Sequence, residues 1–196
     1  MQKKMIFATF VLFCLSIFVS RNCYAIQLLT HEEALKKVLG EGVKITTENK
    51  ELTEPKLSKV KEHLGGNLIC TQKGGRAASV QCKTNFDFYF AEKDGQKTGV
   101  AIIDDEPGKW GAVEFIIAMD LKGAVSRVEV LSYEEKRGQP IARHSFLSQF
   151  EGKTSKSPLQ IEKDITGISG ATISSTSAAF AVKKAIILYE ELYLNQ

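Results

Sequence analysis

Two stretches of alternating apolar residues in the middle of the chain restrict its fold more than any other feature. In NFDFYFAEKDGQKTGVAIIDDEPGK, the side chains of Phe86, Phe88 and Phe90 alternate with polar ones, and a DG pair at 94–95 precedes a second apolar run. The stretch AVEFIIAMDLKGAVSRVEVLSYEE is divided in the same way by its LKG sequence. Such alternation on both sides of short turns predicts an antiparallel β-meander of at least four strands over residues 86–135.

Patterns with helical periodicity lie on both sides of this meander. LTHEEALKKVLGEG has a capping box at Thr30 and Glu33, and LTEPKLSKVKEHLGG has Thr53 as its candidate cap, so we expect N-terminal helices within residues 30–66. RHSFLSQFEGK predicts a short amphipathic helix, and STSAAFAVKKAIILYEELYL predicts a long closing helix that follows a loop within residues 164–194. Helices around a run of antiparallel strands predict the α+β class.

The first residues have the layout of a secretory signal peptide. Basic residues precede an apolar run from Met5 to Val19, and small residues follow it, with cleavage expected after Ala25. The run is shorter than the roughly 20 residues of a spanning helix, although an uncleaved anchor is the alternative. We therefore expect residues 1–25 to be a signal peptide and residues 26–196 to form one domain of an exported bacterial protein, periplasmic or membrane-associated.

The charge of the expected mature chain argues against a nucleic-acid partner. Of the 26 basic residues, three lie within residues 1–25, which leaves 23 basic against 23 acidic residues. The three histidines are too far apart to predict a metal site, and no set of nucleophile and base is recognisable. Trp110 and Tyr133 are isolated aromatics that fit a core as well as a site.

Two cysteines remain after the expected cleavage, Cys70 and Cys82. An even pair in an exported chain predicts a structural disulfide that staples the polar, glycine-rich segment 67–84. A redox-active dithiol is the alternative, but the pair lacks the C-x-x-C spacing that is typical of one.

The sequence GISGATISS at residues 167–175 is uncharged, small and rich in hydroxyl groups just before the closing helix. Gly167 and Gly170 allow a tight bend and a close approach to a ligand, and Ala171 leaves space around the hydroxyl of Thr172. The N-terminus of the helix favours an anion, so the segment fits a site that holds a phosphate or becomes esterified by one. An N-cap that only starts the helix is the alternative.

The S-G-A-T sequence with its hydroxyl-rich continuation resembles the flavinylation signature of the FMN-binding domain family. That family includes the G subunit of Rnf electron-transport complexes, the C subunit of the sodium-pumping NADH:quinone reductase and the flavin-carrying region of NosR. GVAIIDDEPGKWGAVEFIIAMDLKGAVSRVEVLSYEEKRG resembles the central strands of the family, and IARHSFLSQFEGK resembles the segment before the motif. The resemblance covers roughly residues 86–192, and it implies that a flavin transferase of the ApbE type joins FMN to Thr172 by a phosphoester.

The resemblance also implies roles for residues around Thr172. One position departs from the family pattern D-x-x-S-G-A-T, because Thr166 replaces the aspartate and the nearest acid is Asp164. A transferase that must recognise the carboxylate of the replaced aspartate would modify the chain slowly. The expected cofactor site comprises a loop shaped by Ser169, Gly170 and Ala171, phosphate contacts from Ser174 and Ser175, and Glu134 and Lys153 near the flavin.

Three functions remain open at this stage. The first is an exported electron carrier with covalent FMN that exchanges electrons with a redox protein or a membrane electron-transport complex. The second is an accessory module of such a complex that lacks flavin or binds it non-covalently. The third is a flavin-dependent reductase, but the absence of an acid–base set directed at a substrate favours a carrier over an enzyme with its own substrate.

Overall fold

The computed structural model describes residues 25–134 and 139–195. The predicted signal peptide lies outside them apart from Ala25, as does the last residue of the predicted meander. One six-stranded sheet has the order β1-β6-β5-β4-β3-β2, and all neighbouring strands are antiparallel. This architecture confirms the α+β class and the predicted meander. The strands are β1 (Ile26–Gln27), β2 (Lys44–Glu51), β3 (Asn85–Lys93), β4 (Gln96–Pro107), β5 (Ala112–Met119) and β6 (Val125–Tyr133).

Both hairpin turns predicted from the alternating stretches are confirmed. Between β3 and β4, Asp94 and Gly95 have φ angles of 52° and 77°, which two-residue hairpin turns of this kind require. Between β5 and β6, Gly123 has a φ angle of 85°, and the carboxylate of Asp120 accepts two backbone N–H groups at 2.9 Å. The turn residues therefore fix the register of the central four strands.

The N-terminal segment contains the two predicted helices, α1 (His31–Leu39) and α2 (Lys56–His63). The capping box of α1 is confirmed, because Glu33 N–H donates to Thr30 Oγ1 at 3.3 Å and Thr30 N–H donates to the Glu33 carboxylate at 2.8 Å. The prediction of Thr53 as the cap of α2 is wrong. Pro55 occupies the N-cap position, and no side chain caps that helix.

Strand β2 lies between the two helices and was not predicted. Its sequence KITTENKE has polar residues on both faces, so it lacks the apolar alternation that identifies β3 to β6. It pairs with β3 along its whole length and forms one edge of the sheet. Lysine and glutamate side chains on an edge strand oppose pairing with other chains.

The main core lies between one face of the sheet and the closing helix α4 (Thr172–Tyr189). Alanines at 178, 179, 181 and 185 are buried on this helix, and small side chains allow it to lie close to the strands. The predicted amphipathic segment forms α3 (His144–Leu147) and a following 3₁₀ turn, with Phe146, Leu147 and Phe150 buried as expected. Helix α1 covers the opposite face of the sheet.

None of the helices within residues 25–134 and 139–195 combines the length and the apolar character needed to span a lipid bilayer. Residues Glu190–Leu194 form one turn of π-helix that continues α4. Its Tyr193 ring lies against Phe88 with a centroid distance of 5.0 Å and stacks on Tyr189 at 5.3 Å. The end of the closing helix is thus anchored in the core by aromatic contacts.

The predicted disulfide is not formed in the structure. Cys70 and Cys82 are both free thiols, and Cys70 is buried whereas Cys82 is exposed. The side-chain amide of Gln72 donates to the Cys70 sulfur at 3.6 Å. The segment 67–84 is therefore held against the rest of the protein by polar contacts of its own and not by a bridge.

Candidate functional site

The S-G-A-T sequence forms a tight turn that leads into α4. The N–H of Ala171 donates to the carbonyl of Ile168 at 2.9 Å, and Gly170 has a φ angle of 77°. Such a turn requires a positive φ at its third residue, which glycine adopts without steric strain. Ser169 and Gly170 are exposed at its tip, and we call residues 168–172 the attachment turn.

Thr172 is the first residue of α4, and it is exposed. Ala171 occupies the N-cap position, so no side chain caps this helix end. The first N–H groups of a helix lack partners within the helix, and together with the helix dipole they attract anions. The Thr172 hydroxyl therefore lies at a helix end that suits a phosphate.

The two serines expected to contact a phosphate are buried, with Ser174 1% and Ser175 0% exposed. Ser175 Oγ accepts the N–H of Ile168 at 3.0 Å, and this bond joins the start of the attachment turn to the first turn of α4. The structure thus places Ser175 beneath the attachment turn, where it holds the backbone in shape.

Lys153 pairs with Asp164, which precedes the attachment turn in the chain, and Asp164 Oδ2 is 3.0 Å from Lys153 Nζ. The Asp164 carboxylate also accepts the N–H groups of Leu159 and Gln160 at 3.2 and 2.9 Å. Burial acts to raise the pKa of Asp164, but the hydrogen bonds from Gln160, Lys153 and Leu159 hold it below its ordinary value. Asp164 is therefore committed to the scaffold and does not replace the missing aspartate at position 166.

The backbone before the attachment turn is held by one glutamine. Gln149 accepts the N–H of Thr166 at 2.8 Å and donates to the carbonyl of the same residue at 3.2 Å. The side chain of Thr166 is exposed. A glutamine that binds both backbone groups of one residue imitates a strand partner and fixes the entry to the turn.

The segment 72–76 lies against the start of α4, a contact that no local pattern in the sequence predicts. Gln72 Nε2 donates to the carbonyl of Ile173 at 2.8 Å and to Ser177 Oγ at 3.2 Å. A Cβ atom added to Gly74 would lie 3.3 Å from the Ile173 side chain, which shows how closely the two segments pack. The segment also reaches the turn between β4 and β5, because Arg76 N–H donates to the carbonyl of Gly108 at 2.9 Å.

The turn between β4 and β5 carries an exposed aromatic side chain and a carboxylate. Trp110 is 52% exposed, so it is not part of the core, whereas Tyr133 is buried. Glu134 follows β6 and lies directly over Gly111, since a Cβ atom at that glycine would clash with the Glu134 side chain. The structure therefore places Glu134 over Gly111, the residue after Trp110, and pairs Lys153 with Asp164.

A buried charge cluster lies deeper along α4. Lys184 contacts Asp104 Oδ2 at 2.5 Å, pairs with Glu106 and donates to the Leu68 carbonyl at 3.0 Å. Burial raises the pKa of Glu106 to about 7, against the attraction of Lys184. Burial alone would lower the pKa of Lys184, but Asp104 and Glu106 together raise it above its ordinary value.

This cluster borders the buried thiol of Cys70. The backbone N–H of Cys70 donates to Glu106 Oε2 at 2.8 Å. Burial and the neighbouring Glu106 raise the pKa of Cys70 to about 11, so the thiol remains protonated at neutral pH. Cys70 is therefore a structural residue and not a reactive nucleophile.

A cavity of about 450 Å³ lies along the C-terminal half of α4, between Lys183, Glu191 and the segment 155–163. No residue of the attachment turn lines this cavity, so the cavity lies away from the exposed Thr172. Among residues 25–134 and 139–195, no group of three or more His, Cys, Asp or Glu side chains is placed to hold a metal ion.

Residues 108–187 match the FMN-binding domain family. Over these residues the chain is similar to that family. The matched region contains the turn that carries Trp110, strands β5 and β6, the attachment turn and most of α4. The match supports FMN as the cofactor, in agreement with the resemblance seen in the sequence.

One known protein similar to this chain is a subunit of an oxidoreductase complex. Over 107 residues, the chain is 27% identical to the G subunit of the proton-translocating ferredoxin:NAD(+) oxidoreductase complex of Clostridium ljungdahlii. The aligned region is 51% of this chain and 58% of that protein, so the chain spans little more than half of its relative. The crystal structure of Shewanella oneidensis NqrC superimposes with a TM-score of 0.48 and 14% identity, covering 80% of this chain and 83% of NqrC.

Proposed function

We propose that this protein carries FMN as a phosphoester on Thr172 and transfers electrons within a membrane-associated redox complex. The observation that supports this most strongly is the exposed Thr172 hydroxyl on the first residue of an 18-residue helix without a side-chain cap. A phosphate bonded to that oxygen would lie beside the free N–H groups of the helix.

The surroundings of Thr172 fit a phosphate. Residues 165–182 contain no acidic side chain that would repel it. Ser169 and Gly170 form an exposed tip, which leaves the hydroxyl accessible to a modifying enzyme. The segment therefore combines access, small size and a favourable electrostatic field at one oxygen atom.

The roles of the neighbouring residues follow from their contacts. Bound FMN would supply the redox chemistry, and the protein supplies attachment and orientation. Ser175 and Gln149 fix the backbone on either side of the attachment turn. Lys153 and Asp164 brace the loop that precedes the attachment turn. Glu134 lies over Gly111, and we expect Glu134 and Lys153 near the flavin.

The proposal implies two kinds of partner. A flavin transferase of the ApbE type must form the phosphoester. A redox protein or a membrane electron-transport complex must exchange electrons with the flavin, and the relative named as a component of such a complex supports this. The signal-like start of the sequence supports an exported, periplasmic or membrane-associated location.

A second candidate, an accessory module that lacks flavin or binds it non-covalently, is favoured by one observation. Thr166 replaces the aspartate of the family signature, and the nearest acid, Asp164, already accepts three hydrogen bonds. If the transferase requires a carboxylate at this position, the native chain is a poor substrate. A Thr166→Asp variant should then acquire flavin faster than the native chain.

The test is coexpression of the exported protein with an active flavin transferase, followed by intact-mass measurement and peptide mapping. We expect a mass gain equal to FMN less one water, on the peptide that contains Thr172. Thr172→Ala should abolish the gain. Thr166→Ala removes a nearby exposed hydroxyl and is the matched control, which should keep the gain.

Two results would contradict the proposal. Covalent flavin that persists in Thr172→Ala would place the attachment at another residue. An unmodified native protein, produced beside a transferase that modifies a known substrate, would favour the accessory module, unless Thr166→Asp restores modification.

A further inference from the structure

The side chain of Trp110 is unusually exposed for its size. At 52% it is more exposed than Ile26, Leu28 and Leu194, the other large apolar side chains that reach solvent in residues 25–134 and 139–195. Tryptophan is strongly enriched among the residues that dominate the binding energy of protein interfaces. An exposed tryptophan on a turn is therefore a candidate anchor for a partner.

Cationic side chains surround this tryptophan. The guanidinium carbon of Arg76 lies 5.9 Å from the Trp110 ring centroid, and Lys109 Nζ lies 5.4 Å from it. Arg76, Lys109 and Lys73 all reach solvent, and Lys73 belongs to the same segment as Arg76. We call Arg76, Lys109 and Trp110 the Trp110 face.

Acidic residues are nearly absent from the segments that build this end of the molecule. Residues 67–84, 107–113 and 165–182 contain no Asp or Glu. Glu134, over Gly111, is the carboxylate that the structure places next to the face. Since residues 26–196 contain equal numbers of acidic and basic residues, the positive charge here reflects uneven distribution and not a basic composition.

The segment 72–76 links the Trp110 face to the start of α4, next to the attachment turn. Gln72 bonds to the carbonyl of Ile173, the residue after Thr172, and four residues later Arg76 bonds to the turn that carries Trp110. A protein seated on this face would therefore lie beside the cofactor, and electron transfer requires such proximity.

We propose that the Trp110 face is the docking surface for an acidic electron-transfer protein. The proposal rests on the function proposed above, because it assigns a partner to the same site. Opposite charges would guide the encounter and orient the two proteins, and Trp110 would anchor the centre of the contact. An anionic membrane could also attract these cations, so the test includes vesicles as a separate arm.

Binding to an acidic [2Fe–2S] ferredoxin that lacks tryptophan tests the proposal. Affinity is measured by isothermal titration calorimetry between about 20 and 300 mM NaCl, and Trp110, the one tryptophan of the chain, reports the place of binding through its fluorescence. The double variant Arg76→Glu/Lys109→Glu should bind at least about tenfold more weakly at low salt and lose most of the salt dependence. Trp110→Ala should bind at least about fivefold more weakly at every salt concentration.

Lys122→Glu is the matched charge control. Lys122 is exposed in the turn at the far end of β5, a strand length of about 25 Å from Trp110. The Lys122→Glu variant changes the net charge by the same amount as Arg76→Glu or Lys109→Glu alone. We nevertheless expect Lys122→Glu to bind ferredoxin with the affinity of the native protein. The flavin-free Thr172→Ala variant should bind ferredoxin as the native protein does, so docking and flavin attachment are tested separately.

Three outcomes would overturn the proposal. The first is equal weakening by Lys122→Glu and by either single reversal on the face. The second is tighter binding of basic cytochrome c than of ferredoxin. The third is the absence of ferredoxin binding at the lowest salt concentration, and sedimentation on phosphatidylglycerol vesicles would then assign the face to a membrane.

Discussion

Replacement of Lys184 by methionine should destabilise the fold strongly, because this ammonium group neutralises two buried carboxylates. Lys184 is 3% exposed, Asp104 4% and Glu106 0%, so water cannot replace the lost cation. Lys83 reaches Asp104 at 2.7 Å from the partly exposed side, but within residues 25–134 and 139–195 no second lysine forms an ion pair with Glu106. Removing one member of a buried ion pair lowers the free energy of unfolding by roughly 3 to 5 kcal/mol.

The loss in Lys184→Met should depend on pH. Burial already raises the pKa of Glu106 to about 7, and loss of the neighbouring cation raises it further. At a pH of about 5.5 Glu106 can take up a proton and become neutral. At a pH of about 8 it must either stay charged in the buried site or take up a proton at a high cost in free energy. We therefore expect the larger loss of stability at the higher pH.

Urea denaturation followed by circular dichroism at both pH values measures the effect. Lys183→Met is the matched control, because Lys183 is the adjacent residue and is partly exposed, and its loss should change stability by no more than about 0.5 kcal/mol. The double variant Lys184→Met/Glu106→Gln should recover part of the loss. A loss in Lys184→Met below about 1 kcal/mol at both pH values would refute the reasoning, since the buried carboxylates would then not need the cation.

Glu106, Ser175 and Gly170 each carry a further prediction. The Glu106 carboxyl has a pKa of about 7 in the folded protein against an ordinary 4.5, so the folded state binds more protons between these values. The free energy of unfolding should fall by about 3 kcal/mol as pH rises through this window, and Glu106→Gln should remove that slope in a series of urea titrations. Ser175→Ala leaves the Ile168 N–H without its acceptor and should cost about 1 to 3 kcal/mol in denaturant unfolding, whereas an equal loss in the exposed Ser169→Ala would argue against that explanation. Gly170 and Gly152 have φ angles of 77° and 75° with open space where a Cβ atom would lie, so alanine at either should lower stability by about 1 kcal/mol. Mass spectrometry should show slower flavin attachment for Gly170→Ala alone, and equal slowing in Gly152→Ala would contradict a local role of the turn.

The central strands could be predicted because their signals are local. Alternation of Phe86, Phe88 and Phe90 reports one buried face, and the turn at 94–95 carries residues that tolerate positive φ angles. Strand β2 escaped prediction because an edge strand buries little and its sequence KITTENKE is polar on both faces. Its place in the sheet depends on hydrogen bonds to β3, which the sequence of β2 alone does not reveal.

In the candidate site, too, local motifs could be predicted and contacts between distant segments could not. Thr172 and the glycine turn before it were predicted from one short motif, and the structure places them at an exposed helix start. Gln72 and Arg76 could not be found in this way, because Gln72 reaches Ile173 from 101 residues away in sequence and Arg76 belongs to the same distant segment. The disulfide prediction failed for a related reason, since cysteine spacing does not reveal that Cys70 is buried against Gln72 while Cys82 remains at the surface.

The burial of α4 has a mechanical consequence for a group attached to its first residue. Thirteen of the 18 residues in the helix are buried, and tyrosines anchor its far end in the core. The backbone of Thr172 is therefore held by a well-packed helix and cannot move far relative to the sheet. A redox group fixed there would change its surroundings little during electron transfer. Its distance to a donor or acceptor would be set by the approach of the partner, so the rate would depend on how well the two surfaces meet.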